Sequence, residues 1–187
     1  MDKVEIDKNK IISLYKSSDE KCKKLLENIF GEKWLEPSIQ ERIKTFEDAC
    51  EELGENHYLV KQWEAWKQTG VDVKATNAYM KLCIIVAALN EGWHYDFIKK
   101  EPRYYPYFVF YRQEDIYKIK EEGGDISSGE YSSSLYPRGV LVYSGVLSES
   151  MATNRVSGVY LALKSIELAE YVGKQFINIY REFITGM

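Results

Sequence analysis

The pattern of apolar and polar positions is most informative between residues 77 and 111. From 79 to 89 the apolar residues fall on every side of a 3.6-residue period, and a helix that is apolar all round must be enclosed by other elements. Asn90 and Gly92 follow, at positions where a helix would end. Residues 104 to 111 are rich in tyrosine and phenylalanine, which favours a strand. This stretch therefore predicts a central buried helix that leads into the first strand of a sheet.

The N-terminal half shows helical periodicity. Residues 6 to 30 predict one helix or two, because one apolar stripe recurs at helical spacing: Ile11, Tyr15, Cys22, Leu25 and Ile29. Ser17 followed by Glu20 has the capping-box pattern, so a helix that starts there would end at Gly31. The same pattern predicts short helices over 39–44 and 46–53. A further helix within 55–75 would carry Tyr58, Trp63 and Trp66 on one side.

The C-terminal half changes to strand-like periodicity. Strands are predicted over 104–111, 139–144 and 159–164, and the polar, serine-rich segment 112–138 is interpreted as a long mobile loop or an extended hairpin. Ser165 is the predicted N-cap of one final helix, whose apolar stripe would cover the sheet: Ala169, Val172, Phe176, Ile179 and Phe183. The predicted fold class is α+β, with a helical N-terminal half, a small antiparallel sheet of about three strands and a C-terminal helix packed on the sheet. We expect a single domain over 1–187, with a helical part (1–75) and a part that holds the central helix, the sheet and the last helix (76–187).

Composition narrows the class of protein. The 187 residues are 45% hydrophobic and 29% charged, which is typical of a globular domain. No membrane span and no secretory signal is recognised, and Cys22, Cys50 and Cys83 lack the close pairing of a zinc site. These features predict a cytoplasmic protein with reduced thiols, no membrane association and no cofactor. The net charge of −4 disfavours general binding to duplex nucleic acid.

Candidate catalytic residues are few. His57 and His94 have no cysteine or second histidine at ligand spacing, and no phosphate loop, dinucleotide fingerprint or hydrolase motif occurs. Glu91, Asp96 and Glu101 form a small acidic group that could hold a divalent cation, although acidic residues also fill solvated turns. We therefore predict no catalytic residue and no metal ligand.

A basic and aromatic segment, 99–111, is the candidate binding site. Single-stranded nucleic acid is held by stacked bases and a positive groove, and this segment offers both kinds of side chain: Lys99, Lys100, Arg103, Tyr104, Tyr105 and Tyr107. The alternative, which we favour, is that alternate aromatic residues of one strand pack in the core.

Four phrases of the sequence resemble a known protein family. They are ERIKTFEDACEELG at 41–54, KLCIIVAALNEGW at 81–93, RYYPYF at 103–108 and LKSIELAEYVGKQFINIY at 163–180. In this order they are similar to a family of uncharacterised proteins carried by phages, prophages and mobile elements of gut bacteria of the Bacteroides group. The resemblance implies a biological setting but no activity and no site residue.

Three functional hypotheses follow. The first is a non-enzymatic, phage-related accessory protein that binds a protein partner from host or phage. The second is binding of single-stranded DNA or RNA through residues 99–111. The third is a metal-dependent hydrolase or nuclease with its site near Glu91 and Asp96.

Overall fold

The fold is α+β, as predicted. The computed structural model describes residues 6–96, 99, 101–123, 128–130, 139–149 and 159–186. Their α-helices are α1 (Lys8–Ser17), α2 (Glu20–Phe30), α3 (Glu32–Leu35), α4 (Ile39–Arg42), α5 (Phe46–Leu53), α6 (Tyr58–Gln68), α7 (Lys74–Leu89), α8 (Gln113–Glu121), α9 (Ile166–Gln175) and α10 (Ile177–Thr185). The strands are β1 (Arg103–Arg112), β2 (Ser128–Glu130) and β3 (Gly139–Glu149), and a 3-10 helix spans Val159–Leu161. Among these helices none is both long enough and apolar enough to cross a membrane.

The chain forms two compact units, and the boundary lies between Arg42 and Ile43. The first unit contains α1 to α4, and α1, α2 and α3 pack around a small core of three buried side chains, Tyr15, Leu26 and Leu35. Its packing includes the stacked rings of Phe30 and Trp34, whose centroids are 4.9 Å apart. The prediction of a single domain stays a prediction.

The apolar stripe predicted for α2 is wrong by one position. Leu26 is buried and Cys22 and Phe30 pack beside it, whereas Leu25 and Ile29 are exposed. The predicted start at Ser17 is also wrong, because Asp19 is the N-cap and its carboxylate accepts the N–H of Cys22 at 2.9 Å. The hydroxyl of Ser17 donates to the carbonyls of Ser13 and Leu14 within α1, so it does not cap α2. Because α1 and α2 are separate helices, one stripe at helical spacing does not continue through both.

The second unit is built around α7, which is enclosed as predicted. Its side chains from Leu82 to Val86 and at Ala88 and Leu89 are all buried, and α5, α6, α10 and the 3-10 helix contact it. Trp66 donates from Nε1 to Oδ1 of Asn77 at 2.6 Å, which joins α6 to α7. The predicted capping box is present at the start of α5, where Thr45 accepts the N–H of Asp48 and Asp48 accepts the N–H of Thr45.

The sheet is antiparallel with the order β1-β3-β2. β1 and β3 form a long ladder from Arg103↔Glu149 to Arg112↔Gly139, and β2 adds three residues to the other side of β3. A bulge lies where Tyr107 and Phe108 pair with Gly145 and Tyr143, so Ser144 has no cross-strand partner. Gly145 has φ +136°, a conformation that residues with a Cβ rarely adopt.

Two of the three predicted strands are therefore present, and the prediction of a third strand over 159–164 is wrong. Residues 159–161 form a 3-10 helix, and Leu163 makes only an isolated bridge with Tyr104. Leu161, Ala162 and Leu163 are consecutive buried residues, so this segment does not alternate between a buried and an exposed face. It packs on α7 instead of extending the sheet.

The prediction of a loop or hairpin over 112–138 is wrong in its first part, which is helical. Residues 113–121 form α8, whose first turn carries Glu114 and Asp115. Arg112 pairs with both carboxylates at 2.9 Å, and acidic residues at a helix start are favourable. Residues 124–127 and 131–138 lie outside the described residues.

The predicted C-terminal helix packs on the sheet, but it is divided into α9 and α10 at Phe176. Ser165 is the N-cap as predicted, accepting the N–H of Leu168 at 3.3 Å. Tyr180 of α10 is buried, while Ile179 and Phe183 of the predicted stripe are only half-buried.

Candidate functional site

The predicted basic and aromatic residues do not come together on one exposed surface. Lys99 is exposed and lies 3.8 Å from the carboxylate of Asp96, and Lys100 lies outside the described residues. Arg103 is buried, with its guanidinium 4.4 Å from the ring centroid of Tyr95.

The tyrosines of this segment lie on opposite faces of β1. Side chains alternate along a strand, so Tyr105 and Tyr107 point to one face and Tyr104 to the other. Tyr105 is buried, Tyr104 is half-buried and Tyr107 is exposed. The preference for core packing over a stacking platform agrees with Tyr105, and nucleic-acid binding itself stays a prediction.

Two other candidate residues, Glu91 and His57, have structural roles. Glu91 pairs with Nζ of Lys164 at 2.9 Å, and the Nδ1 of His57 accepts the N–H of Leu59 at the start of α6. Among the described residues, no three His, Cys, Asp or Glu side chains are placed to hold a metal ion.

The structure instead assembles a site that the sequence did not predict. Two chambers of about 300 and 180 Å³ adjoin each other in the second unit. We call them the aromatic cleft. Four residues line both chambers: Tyr58, Leu59, Cys83 and Tyr160. The larger chamber is completed by Val86, Ala87, Asn90, Trp93, His94, Tyr95 and Ala162, and the smaller one by Gln62, Tyr79 and Met80.

The walls and floor of the aromatic cleft differ in exposure. Tyr58 at the start of α6 and Tyr160 in the 3-10 helix are 49% and 54% exposed, while Leu59, Cys83 and Val86 beneath them are buried. No Asp, Glu, Lys or Arg occurs among the described lining residues. Aromatic walls with a few uncharged polar groups are typical of sites for apolar or ring-bearing ligands.

The thiol of Cys83 at the cleft floor is kept protonated. Burial raises its pKa from 9.0 to about 11, although a hydrogen bond with Tyr79 acts in the opposite direction. Burial, followed by the neighbouring Cys83, raises the pKa of Tyr79 from 10.0 to about 12. Since the thiolate is the nucleophilic form of cysteine, Cys83 is a poor nucleophile at neutral pH. The cleft is therefore better suited to binding than to covalent chemistry.

Asn90 holds the wall that carries Tyr160. Its side-chain amide donates to the carbonyl of Ala162 at 2.8 Å and accepts the N–H of Lys164 at 3.1 Å. Asn90 is buried at the C-cap of α7. It fixes the segment after the 3-10 helix against the end of α7, so the distance across the cleft depends on this side chain.

A larger and more open groove of about 730 Å³ runs between α5 and α6. Its polar lining includes Glu51, Glu55, Lys61 and Glu64, all of them exposed. Solvated carboxylates on a helix surface are common and do not select a ligand. The aromatic cleft is smaller, but it is the more specific site.

The aromatic cleft is not evident in the sequence because its residues are scattered along the chain. Tyr58 and Tyr160 are about a hundred positions apart, and the local pattern predicts one side of a helix for the first and a strand for the second. The clearest available signal was the surplus of tyrosine, 15 residues in all, but this surplus does not indicate which rings converge. Comparisons with protein-family models, with characterised proteins and with solved structures find no match to this chain.

Proposed function

We propose that this protein is a non-enzymatic binding protein that recognises a protein partner through the aromatic cleft. One observation carries the proposal: Tyr58 and Tyr160 are both about half exposed above a buried floor that has no charged side chain among its described residues. Tyrosine is enriched at protein interfaces, and pockets that take a partner's large side chains contribute most of the binding energy.

The resemblance to phage and mobile-element proteins supplies the proposed setting. In that setting the protein acts in the cytoplasm as an accessory factor, and its partner is a host or phage protein. The protonated state of Cys83 supports a role without covalent catalysis.

Selection from a random peptide library tests the proposal, because such a library samples many partner surfaces at once. The native protein is the bait, and enriched peptides are then measured against Tyr160→Ala and Tyr117→Ala. Tyr117 lies on α8, is exposed and does not line the cleft, so its variant is the matched control. We expect Tyr160→Ala to weaken binding by about 30-fold or more, the effect of losing a central interface residue, with Tyr117→Ala unchanged.

Because Tyr160 is exposed, its replacement leaves the fold intact, and circular dichroism checks this. Enriched peptides that bind both variants as well as they bind the native protein would contradict the proposal. A selection that enriches no peptide would do the same.

Binding of single-stranded nucleic acid is the second candidate function, and the exposed ring of Tyr107 favours it. A titration with an oligonucleotide at about 50 and 200 mM salt, followed by intrinsic fluorescence, tests it. Phosphate contacts predict binding that weakens steeply between these salt concentrations. No quenching at either salt concentration would exclude this function.

A further inference from the structure

The volumes of the two chambers indicate what kind of groups fill the aromatic cleft. An apolar cavity of about 150 Å³ holds a benzene molecule. The smaller chamber, at about 180 Å³, therefore has room for one ring or one branched apolar side chain. The larger chamber, at about 300 Å³, has room for a two-ring side chain such as that of tryptophan.

The distance between the chambers follows from the helix beneath them. On α7 only the smaller chamber contacts Tyr79 and Met80, and only the larger one contacts Val86 and Ala87. These pairs are seven positions apart, which is about 10 Å along a helix at 1.5 Å per residue. Cys83, between these pairs, lines both chambers, so this distance separates the outer ends of the two chambers. A partner that reaches both outer ends presents two large side chains at this separation and on the same side.

A helix meets this requirement and an extended strand does not. Helical residues seven apart lie on one face at about 10.5 Å. Strand residues three apart are at a similar distance, but their side chains point to opposite faces, and strand residues two apart are only about 7 Å from each other. The spacing therefore favours a helix laid along the cleft, as in known helix-in-groove complexes.

Charge gives a second restriction on the partner. The described lining has no Asp, Glu, Lys or Arg, and an unpaired charge is costly to bury in such a site. The inserted face must therefore be uncharged.

We propose that the partner inserts one face of an amphipathic helix into the aromatic cleft, with two large uncharged side chains seven residues apart. This inference rests on the proposed function and specifies the partner for that same site. The side chain in the larger chamber carries a ring system, and Tyr58 and Tyr160, which line both chambers, contact both inserted groups.

A displayed library of helical peptides tests the spacing. Each peptide is a helix of alanine and glutamine that carries large apolar residues at two varied positions. These two positions are three, four, seven, eight or eleven residues apart. A second set of extended, proline-containing peptides is included for comparison. We expect the spacing of seven to dominate the enriched peptides. Moving the second large side chain from seven to four positions away should weaken peptide binding at least tenfold. The Tyr160→Ala substitution in the protein should weaken the binding of every enriched peptide.

Protection of Cys83 gives an independent readout. In the full chain with Cys22→Ser and Cys50→Ser, Cys83 is the remaining thiol, and it lies under both chambers. Because this thiol is buried and protonated, its reaction with a maleimide is slow and reports local opening of the cleft. An enriched peptide should slow that reaction several-fold. The same peptide with a spacing of four should leave that rate unchanged.

The outcomes separate the two proposals. Peptides that need Tyr160 but show another spacing or an extended conformation overturn the helix inference and leave the proposed function intact. If no peptide from either library depends on Tyr160, both are overturned. A dimer in sedimentation that Tyr160→Ala dissociates would assign the cleft to a second copy and also overturn the inference.

Discussion

At the scale of single residues, burial sets the protonation of the cleft floor. Cys83 is buried and shares a hydrogen bond with Tyr79, and the pKa of each side chain is raised, to about 11 and about 12. Desolvation disfavours the charged form of both groups. The folded protein therefore keeps protons that the unfolded chain loses at lower pH.

This difference predicts a loss of stability in alkali. Below pH 9 the thiol of Cys83 is protonated in both states; between pH 9 and about 11 only the folded state keeps the proton, so the free energy of unfolding falls with rising pH. A shift of this size corresponds to about 2 to 3 kcal/mol. Urea unfolding at pH 8, 9, 10 and 11 measures the fall.

Other groups also titrate in alkali, so the comparison is with Cys83→Ala. We expect the variant to be less stable at pH 8 and to lose less stability by pH 11, whereas Cys22→Ala should follow the native protein. Parallel curves for native protein and Cys83→Ala would show that the thiol is not desolvated.

At the scale of elements, α9 lies unusually close to the sheet at one glycine. A Cβ at Gly173 would stand 2.6 Å from the Tyr143 ring and 2.7 Å from Cβ of Pro106. Glycine is unfavourable within a helix, by up to about 1 kcal/mol relative to alanine. Close packing of helix on sheet explains its presence here.

The direction in which Gly173→Ala changes stability therefore shows whether this close contact exists. At a free helix position the change would raise stability, but here we expect a loss of about 1 to 3 kcal/mol from overpacking. Urea unfolding measures the change in the free energy of unfolding. The control is Glu170→Ala on the exposed side of α9, which should change that free energy by less than about 0.5 kcal/mol. A Gly173→Ala protein as stable as the native one would mean that α9 can move away from β1 and β3 at no cost.

The join between α7 and the segment after the 3-10 helix depends on Asn90. Asn90→Ala leaves the carbonyl of Ala162 and the N–H of Lys164 without these partners, and each unsatisfied buried group costs about 1 to 3 kcal/mol. We expect a loss of about 2 to 4 kcal/mol together with faster maleimide labelling of Cys83.

The matched control is Glu91→Gln, which removes the charge that pairs with Lys164 at the surface and leaves Asn90 in place. Exposed pairs contribute about 0 to 1 kcal/mol, so stability and Cys83 labelling should stay near native. Equal effects of the two variants would contradict the role assigned to Asn90.

At the scale of the whole molecule, buried apolar surface is unevenly divided. Among the described residues, the first unit has three buried hydrophobic side chains, Tyr15, Leu26 and Leu35, and the second unit holds the rest of the core, centred on α7. Chains of about 40 residues rarely fold without further support, since they bury too little surface.

We therefore expect a fragment of residues 43–187 to unfold cooperatively with a transition close to that of the full chain, and a fragment of 1–42 to be unfolded by circular dichroism. A fragment of 74–187, which lacks α5 and α6 around α7, should show no cooperative transition. Loss of cooperativity already in 43–187 would overturn this division of stability.

The sequence by itself determined the local structure of much of this protein. The capping box of Thr45 with Asp48, the N-cap Ser165 and the all-round apolar α7 were each recognised correctly. These features depend on hydrogen bonds and side-chain periods within one or two helical turns. The α+β class follows from their order along the chain.

Only the tertiary structure decided which face of each element is buried and which elements pack together. It determined that Leu26 and not Leu25 faces the small core, and that residues 159–163 pack on α7 and do not form a strand. It also brought Tyr58, Cys83 and Tyr160 into one cleft. Local patterns left each of these choices open, because the free energy that selects among them comes from contacts between residues far apart in the chain.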